Sequence, residues 1–472
     1  MPRRRVTVLA SALLVAVLPV AGQAAHASAA GTAGLIVVRE RAVRQPIEGF
    51  GVAEAFQRAA VIHGLMGLSA PKQKEVLDLL FSRTTGAGLS ILRLGIGSSA
   101  DTVYDHMHSI EPTDPGGPDA TPAYQWDGAD GGQVWLAQQA RAYGVARFYA
   151  DAWSAPGYMK TNGTDAAGGT LCGLRDTTCA SGDWRLAYAR YLVQYTRFYA
   201  QEGVHITDLA FTNEPDFTAT YASMRFTPAQ AAEFAAIVGP LAARAGVRLA
   251  CCDATGWTNQ SGYTTAIEAD PQARRWVATE TGHEYSSVAG TPLPTRRPTW
   301  VTEWGPSGST WNENWDDGSG YDGLTVAGHI QNALTAGDVS AYIFWLGGSI
   351  GATKAFIQLD GDAYHVSKRL WAMAAFSRFI RPGAVRVDTG TGDTGLGVSA
   401  FRNADGSRVV EVLNTGTQPV TAGVAAGSGV VSTYLTDEQH ALALVGTSAC
   451  HGDSPARTFA PRSLTTLVIR GR

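Results

Sequence analysis

The sequence predicts an α/β fold: a (β/α)8 TIM barrel with a smaller antiparallel β-sandwich side domain. Three observations on the 472-residue chain carry this reading. From residue 46 to residue 380, short apolar runs alternate with stretches of helical periodicity. No Gly-rich phosphate loop follows the first run. Gly95-Ile96-Gly97 after the second lacks a third glycine and an acidic residue at ribose distance, which argues against an open dinucleotide-binding sheet. After Arg381-Pro382-Gly383 the helical patterns stop, and strand-like pieces separated by Gly, Asn, Asp and Thr turns take over.

Residues 1–30 read as a secretory signal peptide: Arg3, Arg4 and Arg5, an apolar run from Val6 to Gly22, then Ala25-His26-Ala27 as a small-x-small cleavage pattern. The expected location is therefore extracellular. Barrel strands are expected near 48–51 and over 89–94, 145–150, 206–212, 247–252, 276–282, 299–303 and 341–346. Helices are expected over 72–81, 133–143, 184–202, 228–244, 263–274, 324–336 and 365–379, with only a Pro-rich loop between 282 and 299. The helix at 228 has the firmest start: Thr227 can cap, Pro228 fits the first helical position, and Gln230 completes a capping box. Side-domain strands are expected over 397–402, 408–414, 430–435 and 465–469, with a hairpin turn at Asn403-Ala404-Asp405-Gly406. The run 34–39 can join them, so the division is 46–380 for the barrel and 31–45 with 381–472 for the side domain.

Composition excludes several classes. Hydrophobic residues are 45% and charged residues 17%, the opposite of a disordered chain. The formal charge of 37 − 41 = −4 gives no basic excess for nucleic acid or an anionic membrane, and no later segment is long and apolar enough to span a bilayer. A monomer is expected. Export implies an oxidising compartment, so Cys172 and Cys179, closing a short loop, are expected to pair. Cys251 and Cys252 are adjacent on a strand, where side chains alternate, and are expected not to pair with each other. The odd count of five leaves at least one thiol over. No His/Cys cluster has zinc spacing, and no cofactor or metal is expected.

Catalytic groups of a barrel sit at the C-terminal ends of its strands. The fourth expected strand runs into Asn213-Glu214-Pro215 and the seventh into Thr302-Glu303-Trp304. Two carboxylates on one rim are the minimum kit for cleaving a glycosidic bond: one protonates the leaving oxygen, the other attacks the anomeric carbon. Arg93, ending the second strand, can hold Glu303 ionised. Asn213 can bond a sugar hydroxyl. His283 and Tyr285, just past the sixth strand, can bond the nucleophile or the sugar. Trp153, Trp257, Trp304 and Trp345 all fall at or just after strand ends and suggest a sugar-stacking cleft. Arg58, in the loop after the first strand, has the planar fork suited to a carboxylate side group.

Phe211-Thr212-Asn213-Glu214-Pro215 and Val301-Thr302-Glu303-Trp304 resemble the two catalytic strand ends of the clan of retaining (β/α)8 glycosidases, in which the Glu after Asn is the acid/base and the Glu ending strand seven the nucleophile. Ile47-Glu48-Gly49-Phe50-Gly51, Leu92-Arg93-Leu94-Gly95-Ile96-Gly97-Ser98-Ser99 and Trp153-Ser154-Ala155-Pro156-Gly157-Tyr158-Met159-Lys160 narrow the resemblance to glycoside hydrolase family 30, closest to its xylan-cleaving branches. It covers essentially the whole chain after residue 30. The loop at 172–179 and Cys251-Cys252-Asp253 are more similar to the branch known mainly from fungi. The resemblance implies a secreted retaining xylanase acting on xylan or glucuronoxylan, with the Glu214 and Glu303 roles above. Bacterial glucuronoxylanases of the family read the uronate from a late barrel loop. Here 305–322 contains no Lys or Arg and carries four acidic residues, and the next loop offers only Lys354.

Other readings differ in the linkage cleaved (β-1,6-glucan or β-1,6-galactan) or in the product, as in a xylanase that releases xylobiose. Outside the class stands a catalytically inactive carbohydrate-binding barrel.

Overall fold

The computed structural model describes residues 34–306, 310–351, 354–450 and 456–471; the expected signal peptide lies outside these. Strand β1 (Gly34–Pro46) precedes eight parallel strands that close into a barrel: β2 (Gly49–Ala53), β3 (Ile91–Ile96), β4 (Arg147–Ala152), β5 (Asp208–Ala210), β6 (Arg248–Ala254), β7 (Val277–His283), β8 (Thr299–Glu303) and β9 (Ala341–Phe344). β9 pairs in parallel with β2 to complete the ring. The side-chain period of two makes the barrel interior a stack of layers. At the N-terminal end lie Glu48, Arg147, Asp208 and Arg248, joined by ion pairs. Above them Ile91, Tyr149, Ala210, Ala250, Trp300, Ala341 and Ile343 form an apolar plug. One step further along the same strands, Arg93, Asp151 and Thr302 face the mouth. The plug thus keeps the polar layer above it from meeting the charged layer below.

The outer helices are α1 (Ala70–Phe81), α2 (Gln133–Ala142), α3 (Arg185–Gln201), α4 (Pro228–Arg244), α5 (Trp257–Ala269), α6 (Pro271–Trp276), α7 (Gly323–Thr335) and α8 (Lys368–Phe379). α4 starts where the sequence indicates, with Thr227 accepting from Gln230 N and the reciprocal bond in place. The expected helix over 263–274 is instead two: Asp270 accepts from Gln272 N and Ala273 N, and Pro271 stands first in the second helix. The helix expected from 365 begins at Lys368, capped by Ser367. The preceding residues belong to a small sheet of β10 (Leu346–Ile350), β11 (Ala355–Asp360) and β12 (Ala363–Val366). Among the described residues no helix is long and apolar enough to cross a membrane.

The side domain adds β13 (Val385–Gly390), β14 (Gly397–Arg402), β15 (Arg408–Asn414), β16 (Val420–Ala425), β17 (Gly429–Thr436), β18 (Ala443–Cys450), β19 (Arg457–Phe459) and β20 (Ser463–Arg470). Their order is β18-β17-β20-β15-β14-β13-β1-β16-β19. β1 runs antiparallel to β13 and parallel to β16, so the chain before the barrel is built into the sandwich. Ile36, Val387, Val410, Val424, Val431, Phe459 and Leu467 form the sandwich core, while Phe401, Val409, Leu413 and Leu464 point the other way and join the barrel's hydrophobic cluster.

Cys172 and Cys179 are bridged, with Cα atoms 5.6 Å apart. The expectation for Cys251 and Cys252 fails: they are bonded to each other. The peptide between them is cis and their Cα atoms lie 3.0 Å apart, so the alternation of an extended strand does not hold at this step. Cys450 is buried, and its thiol lies 3.1 Å from the Gly427 carbonyl.

Candidate active site

The C-terminal ends of the barrel strands and the segments that follow them deliver the polar groups of the site. Glu214, four residues past β5, is 8% exposed, and Glu303, the last residue of β8, is 5% exposed. One carboxylate oxygen of each and a ring nitrogen of His283 lie within 4.8 Å of one another. Phe56, Glu214 and Asp253 hold φ of 53°, 47° and 56°. Non-glycine residues in this left-handed region cost about 1–3 kcal/mol each, and such outliers gather at functional sites. Glu214 is held there partly by its N–H, which donates to the Asp253 carbonyl at 2.9 Å.

Each carboxylate has its own partners. Arg93, fully buried, donates to Glu303 Oε2, to Asp151 Oδ2 at 2.6 Å and to Asn213 Oδ1 at 2.6 Å. Tyr285 donates to Glu303 Oε1 at 2.7 Å. His283 Nδ1 lies 3.1 Å from Glu214 Oε1. Burial pushes the Glu214 carboxyl above its ordinary value; the His283 cation opposes this and the Glu303 charge adds to it. The His283 ring, though buried, is pushed up to about 10, because the Glu303, Asp253 and Glu214 carboxylates outweigh the cost of its burial. Buried Arg93 is likewise held firmly charged by Glu303 and Asp151 against its desolvation.

These groups open into a cleft of about 690 Å³. Arg58, Trp153, Asn213, Tyr285 and Trp345 line it together with both glutamates. Trp153 also backs the Arg93 guanidinium, 4.6 Å from ring centroid to cation. Trp257 and Trp304 do not line it. Trp257 is 2% exposed and donates to the Thr291 carbonyl at 2.7 Å; Trp304 stacks on His329 at 3.7 Å inside the barrel–helix core. A strand-end position alone does not tell a cleft-facing indole from one turned back under the helices. Arg58 is in the cleft wall, but its Nη1 is taken by Asp105 Oδ1 at 2.5 Å, Tyr104 Oη at 3.0 Å and the Phe56 carbonyl at 2.8 Å.

Sequence reasoning missed two sets. Phe56, Tyr104, Phe217 and Tyr221 also line the cleft; Phe56 meets Trp153, Tyr221 and Trp345 edge-on at 5.3–6.2 Å. Its neighbour Arg58 in the same loop was the only signal there. The other set is the buried pair Asp151 and Asp253 beneath the glutamates. The inward position of Asp151 follows from the period of two and that of Asp253 from its left-handed backbone at φ 56°, and nothing local marks either as an ionisable hub.

Glu214, His283 and Glu303 have spacing compatible with a metal ion. Arg93 on Glu303 and the raised His283 ring make the cluster charge-balanced instead of an anionic cage. The arrangement suits double displacement. Retaining glycosidases keep their carboxyl groups about 5–5.5 Å apart, and inverting ones about 6.5–9.5 Å to admit a water.

Comparison with known proteins agrees with this geometry. The profile described as "O-Glycosyl hydrolase family 30" matches residues 34–275, and "Glycosyl hydrolase family 30 beta sandwich domain" matches 383–446. The chain belongs to glycoside hydrolase family 30. The solved catalytic domain of GH30 xylanase C from Talaromyces cellulolyticus is 39% identical, with a TM-score of 0.84 over 92% of this chain and 100% of that one. Endo-1,6-beta-D-glucanase neg1 of Aspergillus fumigatus is 26% identical over 82% of each chain. Glucuronoxylanase XynC of Bacillus subtilis is 27% identical over 60% of this chain and 66% of its own. The family 30 chain is thus a glycoside hydrolase whose relatives differ in the linkage they cleave.

Proposed function

We propose that the chain is a secreted, retaining endo-1,4-β-xylanase acting on xylan and on its glucuronic-acid-bearing form. The observation that carries the mechanism is the approach of a Glu214 oxygen and a Glu303 oxygen to within 4.8 Å. Glu303, partnered by Arg93 and Tyr285, attacks the anomeric carbon while Glu214, its carboxyl raised by burial, protonates the departing oxygen. A covalent glycosyl-Glu303 results. Glu214, now a carboxylate, takes a proton from water, whose oxygen displaces Glu303 and regenerates it. Asn213, fixed by Arg93, meets the sugar at the reacting ring; Trp345 offers an apolar face to it, while the buried Trp153 backs the Arg93 guanidinium.

The xylan assignment is supported by the 39% identity to the Talaromyces xylanase. A β-1,6-glucanase reading is favoured by the Aspergillus relative, which aligns over 82% of both chains. The test is product analysis on plain xylan, glucuronoxylan, β-1,6-glucan and β-1,6-galactan. Xylo-oligosaccharides from the first two and no reducing ends from the others are expected. A series of β-1,6-linked products would replace the xylan reading. Xylobiose as sole early product would make the enzyme a disaccharide-releasing one, and binding without any reducing ends would make the barrel a lectin.

A further inference from the structure

Asp253 does not line the cleft, yet it touches the segments that carry Glu214, His283 and Glu303. It is fully buried. Its carboxylate accepts hydroxyl hydrogens from Tyr149 of β4 and from Thr302 of β8, the residue before Glu303. Its backbone carbonyl receives the Glu214 N–H. Its Oδ1 lies 3.6 Å from His283 Nε2 on β7. His283 Nδ1 lies 3.1 Å from Glu214, and the same Nε2 is 3.9 Å from Glu303 Oε2. One buried ring thus faces three carboxylates, on both of its nitrogens, and Nε2 makes no hydrogen bond in this arrangement.

We propose that Asp253 is a positioning residue that keeps His283 an imidazolium through both half-reactions, so that one fixed cation faces the negative charge as it moves between Glu303 and Glu214. The inference rests on the double-displacement reading above. In the first step Glu303 forms its bond to the anomeric carbon and loses its charge. The bond to the leaving oxygen breaks, and the Glu214 proton goes to that oxygen, so the charge reappears on Glu214. In the second step water gives its proton to Glu214, its oxygen bonds to the anomeric carbon, and Glu303 departs as a carboxylate. The imidazolium gives and takes no proton. Its Nδ1 side serves the charge on Glu214 and its Nε2 side the charge on Glu303. A preorganised charge of this kind needs no reorganisation during the reaction. Asp253 is the one of the three facing carboxylates whose charge the reaction leaves untouched.

The groups facing the ring are Glu214, Asp253, Glu303 and, edge-on at 6.0 Å, Tyr285. Arg93 and Asp151 stand beyond them. Burial works against the Asp253 anion, but the His283 and Arg93 cations and the Thr302 hydroxyl outweigh it and hold its carboxyl below the ordinary range. Burial and the Asp253 charge push the Asp151 carboxyl up.

The test is histidine 15N NMR on the full chain, with the His283 signals assigned by their loss in His283→Gln. In the native enzyme both ring nitrogens are expected to stay protonated from about pH 5 to about pH 8, where an ordinary histidine titrates. In Asp253→Asn the ring is expected to titrate inside that window. A new ionisation should then enter the pH profile of kcat/KM, and kcat should fall about tenfold or more with KM within about twofold. A native His283 that titrates near 6.5, its ordinary value, would overturn the proposal. So would an Asp253→Asn enzyme in which the ring stays doubly protonated. If that variant does not fold, the native titration decides alone. Full activity of Glu303→Ala would instead remove the double-displacement reading, which separates the two failures.

Discussion

The Tyr285 hydroxyl donates to Glu303 Oε1 at 2.7 Å, on the oxygen that Arg93 leaves open, so one oxygen of that carboxylate is held from β3 and the other from the loop after β7. A hydrogen bond to a charged group is worth about 1.5–3 kcal/mol. Tyr285→Phe is therefore expected to lower kcat about tenfold to a hundredfold. Steady-state kinetics on soluble xylan check this; an unchanged kcat would mean that Arg93 alone orients the carboxylate.

The tryptophans should separate into two behaviours. Trp345 lines the cleft, and removing it takes away a stacking face worth about 0.5–1.5 kcal/mol, so Trp345→Ala is expected to raise KM for xylo-oligosaccharides about threefold to tenfold. Trp257 lies in the core with its N–H on the Thr291 carbonyl. Trp257→Phe leaves that carbonyl without its donor and is expected to cost about 1–3 kcal/mol of stability with KM unchanged. Thermal melts and kinetics on the two variants distinguish them.

Two carboxyls outside the cleft contribute to the pH dependence of stability. Burial pushes Glu280 from its ordinary 4.5 up to about 8, against the hydroxyl of Thr264, and Glu54 likewise up to about 8 against the Gly347 and Gly348 amides. Between these values the unfolded chain gives up protons that the folded chain keeps. Their contribution to stability is therefore expected to fall as pH rises from about 4.5 to about 8 and to change no further above that. Glu280→Gln imitates the protonated side chain. Calorimetry should show a Tm close to native at pH 5 and about 2 °C or more above native at pH 8; equal shifts at both would contradict the assignment.

Asp105 is ion-paired with Arg58 in the cleft wall, the position proposed to read an anionic side group. Asp105→Ala is expected to raise the preference for glucuronoxylan over plain xylan about tenfold, measured as a ratio of kcat/KM. An unchanged ratio would take Arg58 out of side-group recognition.

Where local rules decide the outcome, the sequence was readable. The capping box at Thr227 starts α4 at its observed residue, and the β-branched run into Glu303 ends β8 where expected. The two glutamates follow from strand polarity, since the C-terminal ends of parallel strands share one rim. What was not readable depends on packing around a closed ring. Asp253 follows a bonded cysteine pair and is turned inward at φ 56°, which no alternation pattern supplies. Trp304 and Trp345 both sit at strand ends, yet His329 draws one into the core while the break between β9 and β10 leaves the other in the cleft. Asp270-Pro271 is a visible stop and start inside the stretch expected as one helix over 263–274.

The most direct measurement is to trap the intermediate. The enzyme is incubated with a 2-fluoro-xylobioside bearing a good leaving group, digested, and its labelled peptide sequenced by mass spectrometry. One sugar per chain, esterified to Glu303, is the expected result. A label on another residue, or continued turnover that releases product of inverted configuration with no label at all, would contradict it.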